Sequence, residues 1–320
     1  VMEQGVPSFK VFTAYPGVLM LEDSEIFRVL RWAGPRGALV QVHAENGGAI
    51  AELIAANAAA GRLEPRWHSA SRPSPLEGEA TARAIALAEV AGAPVYIVHL
   101  TCAEALDAVR AARRRGVRVF AETCPQYLFL TEDELSRPGF EGAKFVCSPP
   151  LRPAHHAPAL WRGLEQGDLQ VVATDHCPFN YQGQKELGRG DFRKIPNGIP
   201  GIETRLLLLW KGVAEGRISA NRFVELCATA PARLFGLYPR KGLLAPGADA
   251  DLLLWDPKRR VDLSAAALHM RVDYSPYEGM VVEGGPAKVF ARGKLIVDGD
   301  RFLGAPGDGE YLPRTPLEKR

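Results

Sequence analysis

The chain lacks the cysteine spacing of a disulfide scaffold or a zinc finger. Its five cysteines, Cys102, Cys124, Cys147, Cys177 and Cys227, are odd in number and widely spaced, and no C-x-x-C occurs. A disulfide framework and a structural zinc knuckle are therefore not what organises the fold, and the expected compartment is the reducing cytoplasm. A dominant charge sign is also missing. Against 39 Lys and Arg stand 37 Asp and Glu, a net charge of +2, so neither nucleic acid nor an acidic membrane surface is expected as a partner. The most visible basic run, Arg113 to Arg115, precedes Gly116 and reads as a solvated helix end that favours cations. No apolar run is long enough to span a bilayer, and no secretory signal opens the chain. Val1 begins in mid-pattern with a strand close behind it, so we expect a piece of a longer polypeptide. Internal repeats and low-complexity tracts are lacking too.

What is present is the composition of a globular protein, 47% hydrophobic and 24% charged over 320 residues. Short apolar runs alternate with longer amphipathic segments. Strands are predicted at 8–12, 38–43, 94–99, 117–122 and 170–174. Helices are predicted at 24–33, from about 45 to Gly61, 74–91 with Ser74 as N-cap and Pro75 at N1, 103–115, 157–166, 202–216 and 220–234. Such alternation predicts parallel strands covered by helices. After Leu237 the texture changes. GLLAPGADADLLLWDP and AKVFARGKLIVDG are short β segments with Gly, Pro and Asp turns, which predict a small β subdomain over 238–303 beside a barrel over 1–237. Residues 304–320 read as an extended tail, ordered only against another subunit.

Four chemically apt residues share one placement. Lys10, His43, His99 and Asp175 each lie at or near the C-terminal end of a predicted strand, the end where a (β/α) barrel does chemistry. His43 in VQVHAEN and His99 in YIVHLT follow apolar strands and precede polar helix starts, as metal-binding histidines do. The alternative is a satisfied core histidine, the reading kept for His68, His155, His156 and His269. Asp175 in VVATDHCPF ends a buried strand and must be paired, metal-bound or protonated; it could equally cap the next turn. Lys10 in SFKVFTAYPG is expected to be buried. It either pairs with an acid or, with its pKa lowered by desolvation, takes up CO2 as a carbamate.

The segments SFKVFTAYPG, QVHAEN, YIVHLT, FAETCPQYL, CSPPLR, TDHCPF, PNGIPGIETR and GADADLLLWDP follow one another as in the dihydropyrimidinases and D-hydantoinases. The chain resembles these cyclic amidohydrolases of the amidohydrolase superfamily over nearly its whole length. The resemblance implies a (β/α)8 TIM-like barrel with a small β-sandwich subdomain, and a homotetramer. It implies two Zn2+ ions per subunit. Lys10, as N6-carboxylysine, would bridge them, with His43 and His99 on one metal and Asp175 on the other, Asp175 also shuttling the proton. Tyr15 would donate to the substrate carbonyl. Ser148 and Asn197 would hold the cyclic amide largely through backbone groups, and residues 13–21 would shape the pocket for the ring substituent.

One departure stands out. The family's His-x-His on the first barrel strand is not found here, and only five barrel strands are visible, from the lysine strand onward. The implied reaction is hydrolysis of dihydropyrimidines or 5-substituted hydantoins to N-carbamoyl amino acids by a hydroxide bridging two zinc ions, in a small-molecule enzyme with no nucleic-acid or membrane partner. The rival readings are an allantoinase-type cyclic amidohydrolase and a non-catalytic dihydropyrimidinase-like scaffold.

Overall fold

The computed structural model describes residues 1–317. Five parallel strands form one sheet in sequential order: β1 (Ser8–Phe12), β2 (Leu39–His43), β3 (Val95–Ile97), β4 (Val119–Thr123) and β5 (Val171–Val172). The connections carry α1 (Asp23–Ala33), α2 (Gly47–Ala59), α3 (Arg66–Ala70), α4 (Ser74–Ala91), α5 (Ala103–Arg114), α6 (Pro125–Phe129) and α7 (Ala157–Gln166). Beyond β5 come α8 (Arg205–Ala214), α9 (Ala220–Val224) and α10 (Ala230–Leu234). This is the β/α order expected of the barrel, and pairing puts Lys10 beside Gln41 and Phe12 beside His43.

Alternation along each strand sorts side chains to two faces. Val11, Val40, Val42, Val95, Ile97, Val119, Ala121 and Val172 pack against the helical layer that includes Ile26, Leu30, Ala84 and Leu106. Leu39, Tyr96 and Val171 face the other way and are covered by Ala230 and Leu234 of α10, with Phe120, Phe235 and Leu317 packed alongside. That second core plugs one end of the inner face and leaves the strands' C-terminal ends for the polar residues.

Two predicted helices differ in detail. Residues 220–234 do not form one α-helix: a π-helical turn at Glu225–Thr229 separates α9 from α10. Pro231 lies in the first turn of α10 and can neither donate to nor sterically tolerate the carbonyl four residues back, so the helix widens there. Ser74 is the first residue of α4 rather than its cap, and its hydroxyl donates to Glu104 Oε1 at 2.8 Å.

The later strands β6 (Leu252–Asp262), β7 (Val281–Ala291), β8 (Lys294–Asp298) and β9 (Arg301–Phe302) form a four-stranded antiparallel sheet. Among the described residues it is a single sheet, the share of the β subdomain that this chain carries. It docks on the helical layer through aromatic rings, Trp255 lying 5.3 Å from Trp210 of α8 and 5.9 Å from Phe223 of α9. The tail also departs from expectation. Through residue 317 it is tied to its own chain, Arg314 N–H donating to Gly5 O, Thr315 N–H to Gly236 O and Leu317 N–H to Gly37 O. Leu317 closes the second core, which gives the segment apolar burial without a partner subunit.

Gly284 of β7 has φ 106, and a Cβ there would overlap Trp210 Cδ1 and Nε1. Gly284→Ala is expected to cost on the order of 2 kcal/mol or more, from backbone strain and overpacking together. Thermal unfolding reads this as a clear fall in Tm; an unchanged Tm contradicts the docking described.

Candidate active site

The site assembles where β1 and β2 stop. Thr13 follows β1 and stitches it to the segment after β2. Its Oγ1 lies 3.0 Å from His43 O and 2.7 Å from Glu45 O, and accepts from Glu45 N–H at 3.0 Å. Asn46 then caps α2, its side chain accepting from Ala49 N–H at 3.1 Å. Gly47 leaves no room for a Cβ against Ala14 and Thr13 O. The sequence His43-Ala44-Glu45-Asn46 is thus held at both ends before its side chains do anything chemical.

His43 and His99 are both 2% exposed, and His43 Nδ1 lies 2.9 Å from His99 Nε2. The other nitrogen of His43, Nε2, is 2.8 Å from Glu45 Oε2, which also accepts from Arg72 Nη1 at 3.1 Å. Burial raises the Glu45 carboxyl, but the Arg72 guanidinium and the His43 hydrogen bond outweigh it and hold it well below the usual carboxylate range. An ionised Glu45 accepts from Nε2–H and so leaves the lone pair of His43 on Nδ1, toward His99. Burial first, then the proximity of His43 and Lys10, push His99 well below its ordinary value. Two buried imidazole nitrogens therefore face one point.

That arrangement fits a zinc-type ion. Two nitrogens on one tetrahedral zinc stand about 3.3 Å apart, given Zn–N bonds of about 2.05 Å. The carboxylate behind His43 is the partner that metal-binding histidines use to fix ring orientation. Among the described residues no three His, Cys, Asp or Glu side chains close around a common point, so the preformed part is the histidine pair.

Lys10 and Asp175 border this pair but are not buried as expected; both side chains are exposed. The physical reason is their position. Lys10 lies on the face of β1 opposite Val11, away from the helical layer, and Asp175 lies in the loop after β5. The Lys10 ammonium sits 5.0 Å from the Phe12 ring, on the same face, and Phe12 stacks on His43 at 5.3 Å. Lys10 and Asp175 both act on Glu122, an inner-face carboxylate of β4. Burial raises Glu122 to about 7, Asp175 adds to the rise, and Tyr96, His99 N–H and Lys10 oppose it.

Tyr15 sits 5.3 Å from His43 ring to ring, with the Arg72 guanidinium 5.9 Å from its own ring. Burial first, then the Glu45 charge, push its hydroxyl up to about 12, with a hydrogen bond to Ser148 pulling the other way. It is therefore a donor across the neutral range. Ser148 Oγ lies 3.3 Å from Asn197 Oδ1 and 3.3 Å from His68 Nε2. Tyr15, His99 and Asp175 are three of the five non-glycine residues with positive φ among those described (66, 38 and 47°). Left-handed backbone at these points turns the side chains away from strand geometry.

Sequence reasoning missed Glu45, Arg72 and Glu122, and it read His68 as a satisfied core histidine without its place beside the site. Glu45 had a signal, standing two residues after a candidate ligand. His68 is remote in sequence but donates from Nε2 to Cys147 O at 2.8 Å, beside Ser148. Burial first, then Arg72, lower His68 to about 3. The folded state then holds a neutral ring where the unfolded chain, near the ordinary value of 6.5, takes a proton. Stability contributed by His68 is full above pH 6.5 and is lost as pH falls from there toward 3. His68→Asn should flatten the slope of unfolding free energy against pH by up to one proton in that window, measured by urea unfolding. An unchanged slope contradicts the assignment.

The amidohydrolase family profile matches residues 8–296. The D-hydantoinase of Streptomyces coelicolor is 53% identical over 317 residues, covering 99% of this chain and 68% of that protein. Among solved structures, the D-hydantoinase of Bacillus sp. AR9 superposes with a TM-score of 0.98 at 49% identity, covering 99% of this chain and 69% of that one. The dihydropyrimidinase of Brevibacillus agri gives 0.98 at 48% identity with the same coverage.

Proposed function

The chain belongs to the amidohydrolase family, and from that premise we propose that it hydrolyses the ring amide of 5-substituted hydantoins and dihydropyrimidines to N-carbamoyl amino acids. The observation that carries this reading is the buried His43–His99 pair with Glu45 behind it, in a chain about half identical to D-hydantoinases. The reaction is metal-dependent. His43 and His99 would hold one zinc ion and Asp175 a second, with Lys10, as a carbamate, a ligand to both. A divalent metal held there acidifies water and polarises an amide carbonyl.

The remaining chemistry falls to the chain's own side chains. Ser148 and Asn197, 3.3 Å apart, hold the ring at its polar edge. Tyr15 keeps its proton and donates to the carbonyl oxygen as negative charge develops there. Asp175, exposed at the strand ends, takes the proton from the attacking water and returns it to the ring nitrogen as the amide opens. The exposed Val18 and Leu19 in the loop after Tyr15 offer apolar surface to the ring substituent. In this reading residues 1–237 are the hydrolase barrel, 238–303 a β subdomain and 304–320 the tail, in a cytoplasmic homotetramer. Among the described residues no helix is long and apolar enough to cross a membrane.

Lys10→Ala is expected to lower bound zinc, measured by atomic emission, and to abolish hydantoin opening followed at the ring absorbance. Stoichiometric zinc with unimpaired turnover sinks the ligand assignment. Tyr15→Phe should keep its zinc and lose about 10²–10³ in kcat, the size of one oxyanion donor. A kcat within a few-fold of the parent removes Tyr15 from the reaction.

A further inference from the structure

Lys185 is a fully buried lysine, 0% exposed, and among the described residues it forms no ion pair with a carboxylate. Burial pushes its ammonium down to about 7, against the pull of Cys147 and Cys177. A methionine would fill such a space without a desolvation cost, so packing alone does not account for a charge here. Its polar contacts are two backbone carbonyls. Nζ donates to Val146 O at 2.8 Å and to Pro196 O at 2.6 Å. The Phe179 ring, 5.8 Å from Nζ, lies alongside.

Those two carbonyls belong to the segments that present Ser148 and Asn197. Val146 O also accepts from Gly198 N–H at 3.0 Å, so the segments 146–148 and 196–198 are joined both directly and through the ammonium. The Pro196 carbonyl shares its peptide unit with the Asn197 N–H, which makes no hydrogen bond among the described residues. A charged donor on one end of a peptide group polarises the other and strengthens it as a donor. Gly198, at φ 155 and packed against Cys177 O, fixes the backbone on the far side.

We propose that Lys185 is a positioning residue for substrate binding, its ammonium clamping the Val146 and Pro196 carbonyls so that Ser148 and Asn197 stay in register and the Asn197 N–H is polarised toward the cyclic amide. This rests on the reading of Ser148 and Asn197 as the ring-holding pair. Lys185 lies outside the metal ligands and the proton path, so its loss acts on affinity rather than on the chemical step.

The test compares the zinc-loaded enzyme with Lys185→Met and Lys185→Gln, using hydantoin and dihydrouracil as substrates. Lys185→Met should raise KM about ten-fold or more with kcat within about three-fold and bound zinc unchanged. Lys185→Gln, which keeps one neutral donor, should fall between it and the parent, and it decides the question if the methionine variant does not fold. An unchanged KM in the folded variant, or a fall in kcat accompanied by zinc loss, overturns the proposal. Asn197→Pro, which removes the N–H, separates the two readings: if its KM equals the parent's, the ring-holding assignment fails, whereas a raised KM there with none in the Lys185 variants overturns Lys185 alone.

Discussion

The site depends on one buried carboxylate. Glu45 is 1% exposed and bears a negative charge between His43 Nε2 and Arg72. An isolated carboxylate at that depth would take up a proton; paired with a guanidinium it stays ionised, and removing either partner would leave the other uncompensated. Arg72 is in turn tied through its carbonyl to Arg152, whose Nη2 lies 2.7 Å from Glu77 and whose Nε donates to Thr101 Oγ1 at 2.8 Å. This polar network joins the segment after β2, the approach to α4, the segment after β3 and the loop that carries Ser148. Its members are buried together, so the orientation of the His43 ring is set by charges that cannot relax into solvent.

On that frame the backbone takes unusual conformations. Tyr15, His99 and Asp175 lie in left-handed backbone where β1, β3 and β5 give way to loops. Strand geometry alternates side chains between two faces and would send some of them into the helical layer. A single left-handed residue redirects the side chain at the cost of about 1–3 kcal/mol each. The apolar layer of Val42, Ile97 and Val172 beneath them is buried enough to bear that strain.

The strands, their order and the placement of Lys10, His43, His99 and Asp175 were legible because apolar periodicity and strand-end position are local features. Tyr15, Ser148 and Asn197 were legible only through resemblance. Arg72, His68 and Lys185 were not, because their partners lie far away in sequence: His68 meets Cys147 across 79 positions, and Lys185 meets Val146 across 39. A histidine or lysine in a single short helical turn carries no pattern that names its distant partner. The expectation that failed, burial of Lys10, came from reading apolar neighbours as a buried strand. Those neighbours, Phe9 and Val11, face the helices, and alternation turns Lys10 to the other side.

The unequal burial of the four strand-end residues has a chemical meaning. Histidines bind metal as neutral rings, so their desolvation carries little cost, and a dry pocket keeps both rings aimed at one point. Lys10 and Asp175 lie exposed, where solvent screens them. The histidine pair is thus preorganised by packing and by Glu45, a constraint that the exposed Lys10 and Asp175 do not share.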